Sequence, residues 1–179
     1  MTRYAGKKAL VVGEATGIAL AIAKRLVEGG AAVLLTARTP QQRLRAGAEL
    51  GSAARVVEPA AVGTGPDHES DVDLLFVDSV PTARPLLPRL RDGGAVVLTA
   101  SAPSAAAVQA LAAELVARGI RVNAVAPGCI EGPGGAGSLP PLGRLGAAEE
   151  VARAALFLAT EATFTTGARL PVDGGLSRP

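Results

Sequence analysis

Ala9-Leu10-Val11-Val12-Gly13-Glu14-Ala15-Thr16-Gly17-Ile18-Ala19-Leu20-Ala21-Ile22-Ala23 reads as a strand, a tight turn and the start of a helix in one run. Residues 9–12 are four apolar residues, the length of a strand buried on both faces. Gly13 and Gly17 bracket the turn. Ile18, Ile22 and Leu26 then fall four apart, on one face of a helix. A strand that turns through glycines into a helix aims backbone N–H groups and a helix N-terminus at one point, where a pyrophosphate would be held.

The alternation continues downstream. Continuous apolar runs at 32–37, 55–58, 72–77, 95–99, 120–125 and 168–172 read as further strands. Helical segments are expected at 41–50, with Thr39 as N-cap, at 105–118, closed by Gly119, and at 149–160. Segment 81–92 holds Pro81, Pro85 and Pro88, so it predicts a short, broken helix. Residues 59–70 and 129–142 are rich in glycine and proline and read as loops. Strands that are unbroken apolar runs, alternating with helices, imply an α/β fold: one doubly wound parallel sheet with helices on both faces, as a single domain over 1–179.

Composition narrows the function. The chain has 179 residues, 49% hydrophobic and 19% charged, with a net charge of +2. That size and balance suit one globular domain. The weak charge and the 2% aromatic content give no reason to expect nucleic acid as a partner. No apolar run approaches the roughly 18 residues of a membrane span, and no signal-peptide pattern opens the chain. With Cys129 as its one cysteine the chain forms no internal disulfide, which suits a reducing cytoplasm. His68 is the one histidine, between Asp67 and Glu69, and reads as a solvated loop residue rather than a metal ligand.

Four ordered motifs carry a resemblance. They are the glycine turn; Ile120-Arg121-Val122-Asn123-Ala124-Val125-Ala126-Pro127-Gly128; Pro141-Leu142-Gly143-Arg144 followed by Glu149-Glu150-Val151-Ala152; and Val172-Asp173-Gly174-Gly175. Together they resemble the short-chain dehydrogenase/reductase family, nearest its 3-oxoacyl-(acyl-carrier-protein) reductase branch. The resemblance implies a Rossmann-type sheet and a nicotinamide cofactor, NADP in particular. It implies cofactor contacts at Gly13, Thr16, Gly17, Ile18, Arg38, Val77, Pro127 and Gly128, with Arg38 facing the 2′-phosphate. Ser101 matches the catalytic serine after the fifth strand. An equal reading of Ser101 is a polar entry to the following helix, and Arg38 is equally an ordinary solvated residue at a strand end.

The departures concern chemistry. The family's Tyr-x-x-x-Lys helix should precede Gly119, yet the one tyrosine is Tyr4 and the lysines are Lys7, Lys8 and Lys24. In the family that tyrosine moves the proton at the carbonyl oxygen and the lysine lowers its pKa. Ala19 replaces the third glycine of the turn. Glu14 places a carboxylate where a diphosphate is expected, or else points to solvent. Cys129 and Glu131 follow Pro127-Gly128, but no histidine stands by to activate the thiol. The expectation is a chain that no longer reduces carbonyls. It would act as a partner subunit in a homo-oligomer, or in a hetero-oligomer with a full-length paralogue, or as a binding module. The alternatives are an atypical NADP-dependent reductase and a non-redox enzyme using the old cleft. In the family the late helix and strand take part in subunit contacts, and both are kept.

Overall fold

The computed structural model describes residues 3–62, 72–132 and 139–177. His68 lies outside them. Seven strands run through the chain: β1 Lys8–Val11, β2 Ala32–Thr36, β3 Ala54–Val57, β4 Val72–Val77, β5 Leu90–Leu98, β6 Arg121–Pro127 and β7 Arg169–Val172. Five α-helices connect them: α1 Gly17–Glu28, α2 Pro40–Leu50, α3 Val80–Ala83, α4 Ala105–Leu115 and α5 Ala148–Thr160. All seven strands pair in parallel in the order β3-β2-β1-β4-β5-β6-β7. The single Rossmann-type sheet expected from the apolar runs is therefore present.

Along each strand alternate residues point to opposite faces, and the inner strands bury both. Val11, Val33, Leu35, Phe76 and Val97 pack under α1, α2 and α5, against Ile22, Leu26, Ala46, Val151 and Leu156. Leu10, Leu75, Val77, Val96, Leu98 and Val122 face the other way, against Ala83, Leu87, Val108, Leu111 and Leu115. Ile22 and Leu26, two of the three residues expected on the inner face of α1, are fully buried.

Local chemistry sets the helix ends as expected. The Thr39 hydroxyl accepts the Gln42 N–H at 3.2 Å and starts α2. Ser104 does the same for α4 through the Ala107 N–H, at 3.3 Å. Gly119, at φ +64°, ends the 3-10 turn that prolongs α4. The proline-rich segment gives only α3 and a 3-10 stretch, Arg84–Arg89. One strand differs from expectation. β5 begins at Leu90, not at Ala95, and carries Gly93 and Gly94 within it. Pairing of Leu90 with Val72 extends the strand, and the register shift between Val72 and Leu74 absorbs the glycines. Among the described residues no helix is long and apolar enough to cross a membrane.

Candidate functional site

Because every strand is parallel, every strand's carboxyl end lies on one edge of the sheet. Ligands of such sheets bind outside that edge. The β1–α1 turn stands on it, beside the central strand β4. Thr36, fully buried at the end of β2, holds it: the Gly13 N–H donates to Thr36 Oγ1 at 2.9 Å, and the Thr36 hydroxyl donates to the Gly13 carbonyl at 2.8 Å. The Val12 N–H donates to the Phe76 carbonyl at 2.8 Å, tying the turn to β4. A β-carbon on Gly13 would meet the Ala19 Cβ at 3.3 Å, so the turn packs close against α1 even with alanine as its third small residue. Gly17 enters the helix at φ +51°, a conformation that suits glycine.

The start of α1 is open. Thr16 is its N-cap residue, but its side chain accepts no capping bond, and no acidic residue lies in the first turn. The first N–H groups of the helix, from Gly17 and Ile18 onward, thus have no side-chain acceptor. This geometry fits the diphosphate half of a dinucleotide. Glu14, exposed in the turn, places a carboxylate against such a ligand.

Glu14 does not simply face solvent. Its Oε1 lies 3.4 Å from Arg38 Nη1. Arg38, just beyond β2, is anchored by its own N–H, which donates to Gln42 Oε1 at 3.1 Å. The pair is 64% exposed at the arginine and 54% at the glutamate, so water screens it.

Further along the edge the chemistry thins out. Val77 is buried at the end of β4, and its carbonyl accepts both the Thr99 N–H, at 2.8 Å, and the Thr99 hydroxyl, at 3.2 Å. Ser101 is exposed in the loop after β5 and makes no hydrogen bond among the described residues. Pro127 ends β6 opposite Val172, and the Gly128 N–H donates to the Val172 carbonyl at 3.0 Å. Cys129 is half-buried. Its carbonyl accepts the Gly146 N–H at 2.9 Å, while the Glu131 N–H donates to the Gly146 carbonyl at 2.8 Å. A cavity of about 300 Å³ opens beside this loop, lined among others by Cys129, Arg144, Glu150 and Asp173. The Ser177 side chain first, and then the backbone N–H groups of Ser177 and Gly175, hold the Asp173 carboxylate and keep its pKa below the usual carboxylate value.

Tyr4 and the lysines lie elsewhere. Tyr4 is buried near the amino ends of the strands, with its N–H donating to the Gly29 carbonyl at 2.7 Å. Lys8 opens β1, and Lys7 pairs with Asp73 at 3.7 Å. Lys24 is bound to Glu49 on α2. The expected positions Gly13, Thr16, Gly17, Ile18, Arg38, Val77, Ser101, Pro127 and Gly128 all fall at or next to the carboxyl ends of the strands. No tyrosine or lysine joins them.

An all-parallel sheet in this order, with a glycine turn between β1 and an open helix start, defines an α/β protein of the dinucleotide-binding class. The chain belongs to the short-chain dehydrogenase/reductase family. Residues 7–73 match the family described as short chain dehydrogenase, and residues 89–177 match enoyl-(acyl carrier protein) reductase. The chain is 31% identical to the 3-oxoacyl-(acyl-carrier-protein) reductase of Salmonella typhimurium, covering 97% of this chain and 98% of that one. It is 33% identical to the cis-4-hydroxycyclohexanecarboxylate dehydrogenase of Sinomonas cyclohexanicum, covering 96% and 97%. The 3-ketoacyl-(acyl-carrier-protein) reductase of Brucella melitensis, a structure complexed with NADH, superimposes with a TM-score of 0.84 at 26% identity, covering 98% of this chain and all of that one. The Salmonella alignment runs over 239 positions, while this chain has 179 residues. At least 60 positions of that relative (239 less 179) therefore have no counterpart here.

Proposed function

We propose that this chain is a non-reducing member of its family: it keeps the adenosine–diphosphate half of a nicotinamide dinucleotide site and works as a subunit in an assembly. The observation that carries this reading is the separation of the tyrosine and lysines from Ser101. Carbonyl reduction by this family's chemistry needs a proton donor at the carbonyl oxygen, and at the position the resemblance gives to catalysis this chain offers the Ser101 hydroxyl without a tyrosine or lysine beside it. The positions without a counterpart fall, in this reading, in the short β3–β4 and β4–β5 connections and in the front half of the α4 helix.

The ligand class is a nicotinamide dinucleotide. NADP is the form that Arg38 would select acting alone. Assembly is supported by the late part of the chain. Phe157, on the outer side of α5, and Phe164, just beyond it, are exposed, with Arg153 and Glu161 around them. Exposed aromatic residues among charges are the composition of a contact surface rather than of a solvated one.

The test is turnover. The purified chain is offered NADPH and NADH with a 3-oxoacyl thioester, beside a full-length family reductase. Reduction is expected to be slower by at least the roughly 10²–10⁴-fold that a general acid supplies. Turnover equal to that of the full-length enzyme would replace this reading with that of an atypical reductase built on Ser101.

A further inference from the structure

We infer that Glu14 makes the adenosine-ribose end of the site select a free 2′,3′-diol over a 2′-phosphate, in spite of Arg38. The inference deepens the dinucleotide reading above and rests on it.

The register of two strands puts the pair together. β1 and β2 are parallel neighbours with Val11 opposite Leu35. Glu14 and Arg38 each lie three residues further on, so they emerge side by side at the carboxyl edge. The two hydrogen bonds between Thr36 and Gly13 fix that alignment. The outcome is the 3.4 Å contact between Arg38 Nη1 and Glu14 Oε1.

In the dinucleotide fold an acidic residue beyond the second strand accepts a ribose hydroxyl, and an arginine nearby accommodates a 2′-phosphate. Here the arginine occupies the strand end and the carboxylate arrives from the glycine turn. Both therefore face the same small region. A diol donates hydrogen bonds to the Glu14 carboxylate and leaves the ion pair in place. A 2′-phosphate, a dianion near neutral pH, has to take Arg38 away from Glu14 and then sit within a few ångströms of the released carboxylate. Even screened by water, a like-charge contact at about 4 Å costs a factor of about five in affinity per pair of unit charges, so a dianion is disfavoured by about tenfold or more. Arg38, already neutralised, does not restore that loss.

Calorimetric titration of NADH and NADPH into the wild-type chain, E14Q and E14Q/R38Q tests this. The expected result is wild-type affinity at least about tenfold higher for NADH than for NADPH. E14Q then narrows or reverses the ratio by about the same factor, chiefly by gaining NADPH affinity, and R38Q in that background removes the gain. Preference of the wild type for NADPH, or an E14Q effect equal on both dinucleotides, overturns the inference and leaves the dinucleotide reading intact. Failure of both dinucleotides to bind the wild type and E14Q overturns the dinucleotide reading and the inference with it.

Discussion

A β-carbon built on Gly128 would lie 2.6 Å from the Asp173 Cα, closer than packed atoms come. The glycine after β6 is thus fixed by the backbone that follows β7. The resemblance assigns the same residue to a cofactor, but the packing alone explains it. Gly128→Ala is expected to destabilise the chain by about 1–3 kcal/mol, the range for overpacking a close-packed site. Urea unfolding of the variant, with no dinucleotide present, checks this. An unchanged midpoint would return Gly128 to a role in ligand contact alone.

Thr36 serves the Gly13 N–H and carbonyl together from a fully buried position. Thr36→Val keeps the shape and strands both backbone groups. A loss of about 1–3 kcal/mol is expected for the unsatisfied pair. Amide hydrogen exchange at residues 13–17 should quicken with it, because the turn loses its only side-chain anchor among the described residues.

The start of α5 is set by Glu150. Both of its carboxylate oxygens are engaged by Arg144, at 2.7 and 2.8 Å, and one also accepts the Ala147 N–H at 2.9 Å. The Arg144 guanidinium first, and the Ala147 N–H after it, push the Glu150 pKa down from the ordinary 4.5 to about 2. A lowered folded-state value means that the contribution to stability is fully present above pH 4.5 and disappears as the pH falls through about 2. Glu150→Gln should therefore be less stable than wild type at neutral pH. The gap should close between those two values and vanish at the acid end. A gap that persists unchanged in acid would refute the pairing.

Phe164 is fully exposed and Phe157 about half so. The double variant Phe157→Ser/Phe164→Ser is expected to leave monomer stability within about 0.5 kcal/mol, the usual range for surface substitutions. Sedimentation velocity should show assemblies of the wild type shift to monomer in the variant. Identical profiles would remove this face from the assembly.

Much of the architecture was legible because apolar runs bounded by glycines admit few other folds. Residues 72–77 read as β4 to the residue, and the hydroxyls of Thr39 and Ser104 lie at the helix starts the sequence suggested. The start of β5 was not legible. Arg91 and Asp92 read as the end of a broken helical segment and Gly93-Gly94 as the lead into the strand, and only the pairing of Leu90 with Val72 recruits them into the sheet. Nor was the central contact of the site. Glu14 and Arg38 each stood out, one as an intruder on a diphosphate and the other as a phosphate reader. Their meeting depends on strand register, which single residues do not display, although two residues equally far beyond neighbouring parallel strands are a signal that can be sought. Gly128 was legible as a motif and not as a packing contact, since its partner lies 45 residues away.

The connection from β4 to β5 takes residues 78–89, about a dozen, near the shortest span that joins parallel strands. Shorter loops close at smaller entropic cost, and contacts between residues near in sequence form sooner. A connection this short therefore bears on the order of assembly as well as on the surface. On contact order alone, β4, α3 and β5 are the elements expected to come together early, ahead of pairings between strands further apart in sequence.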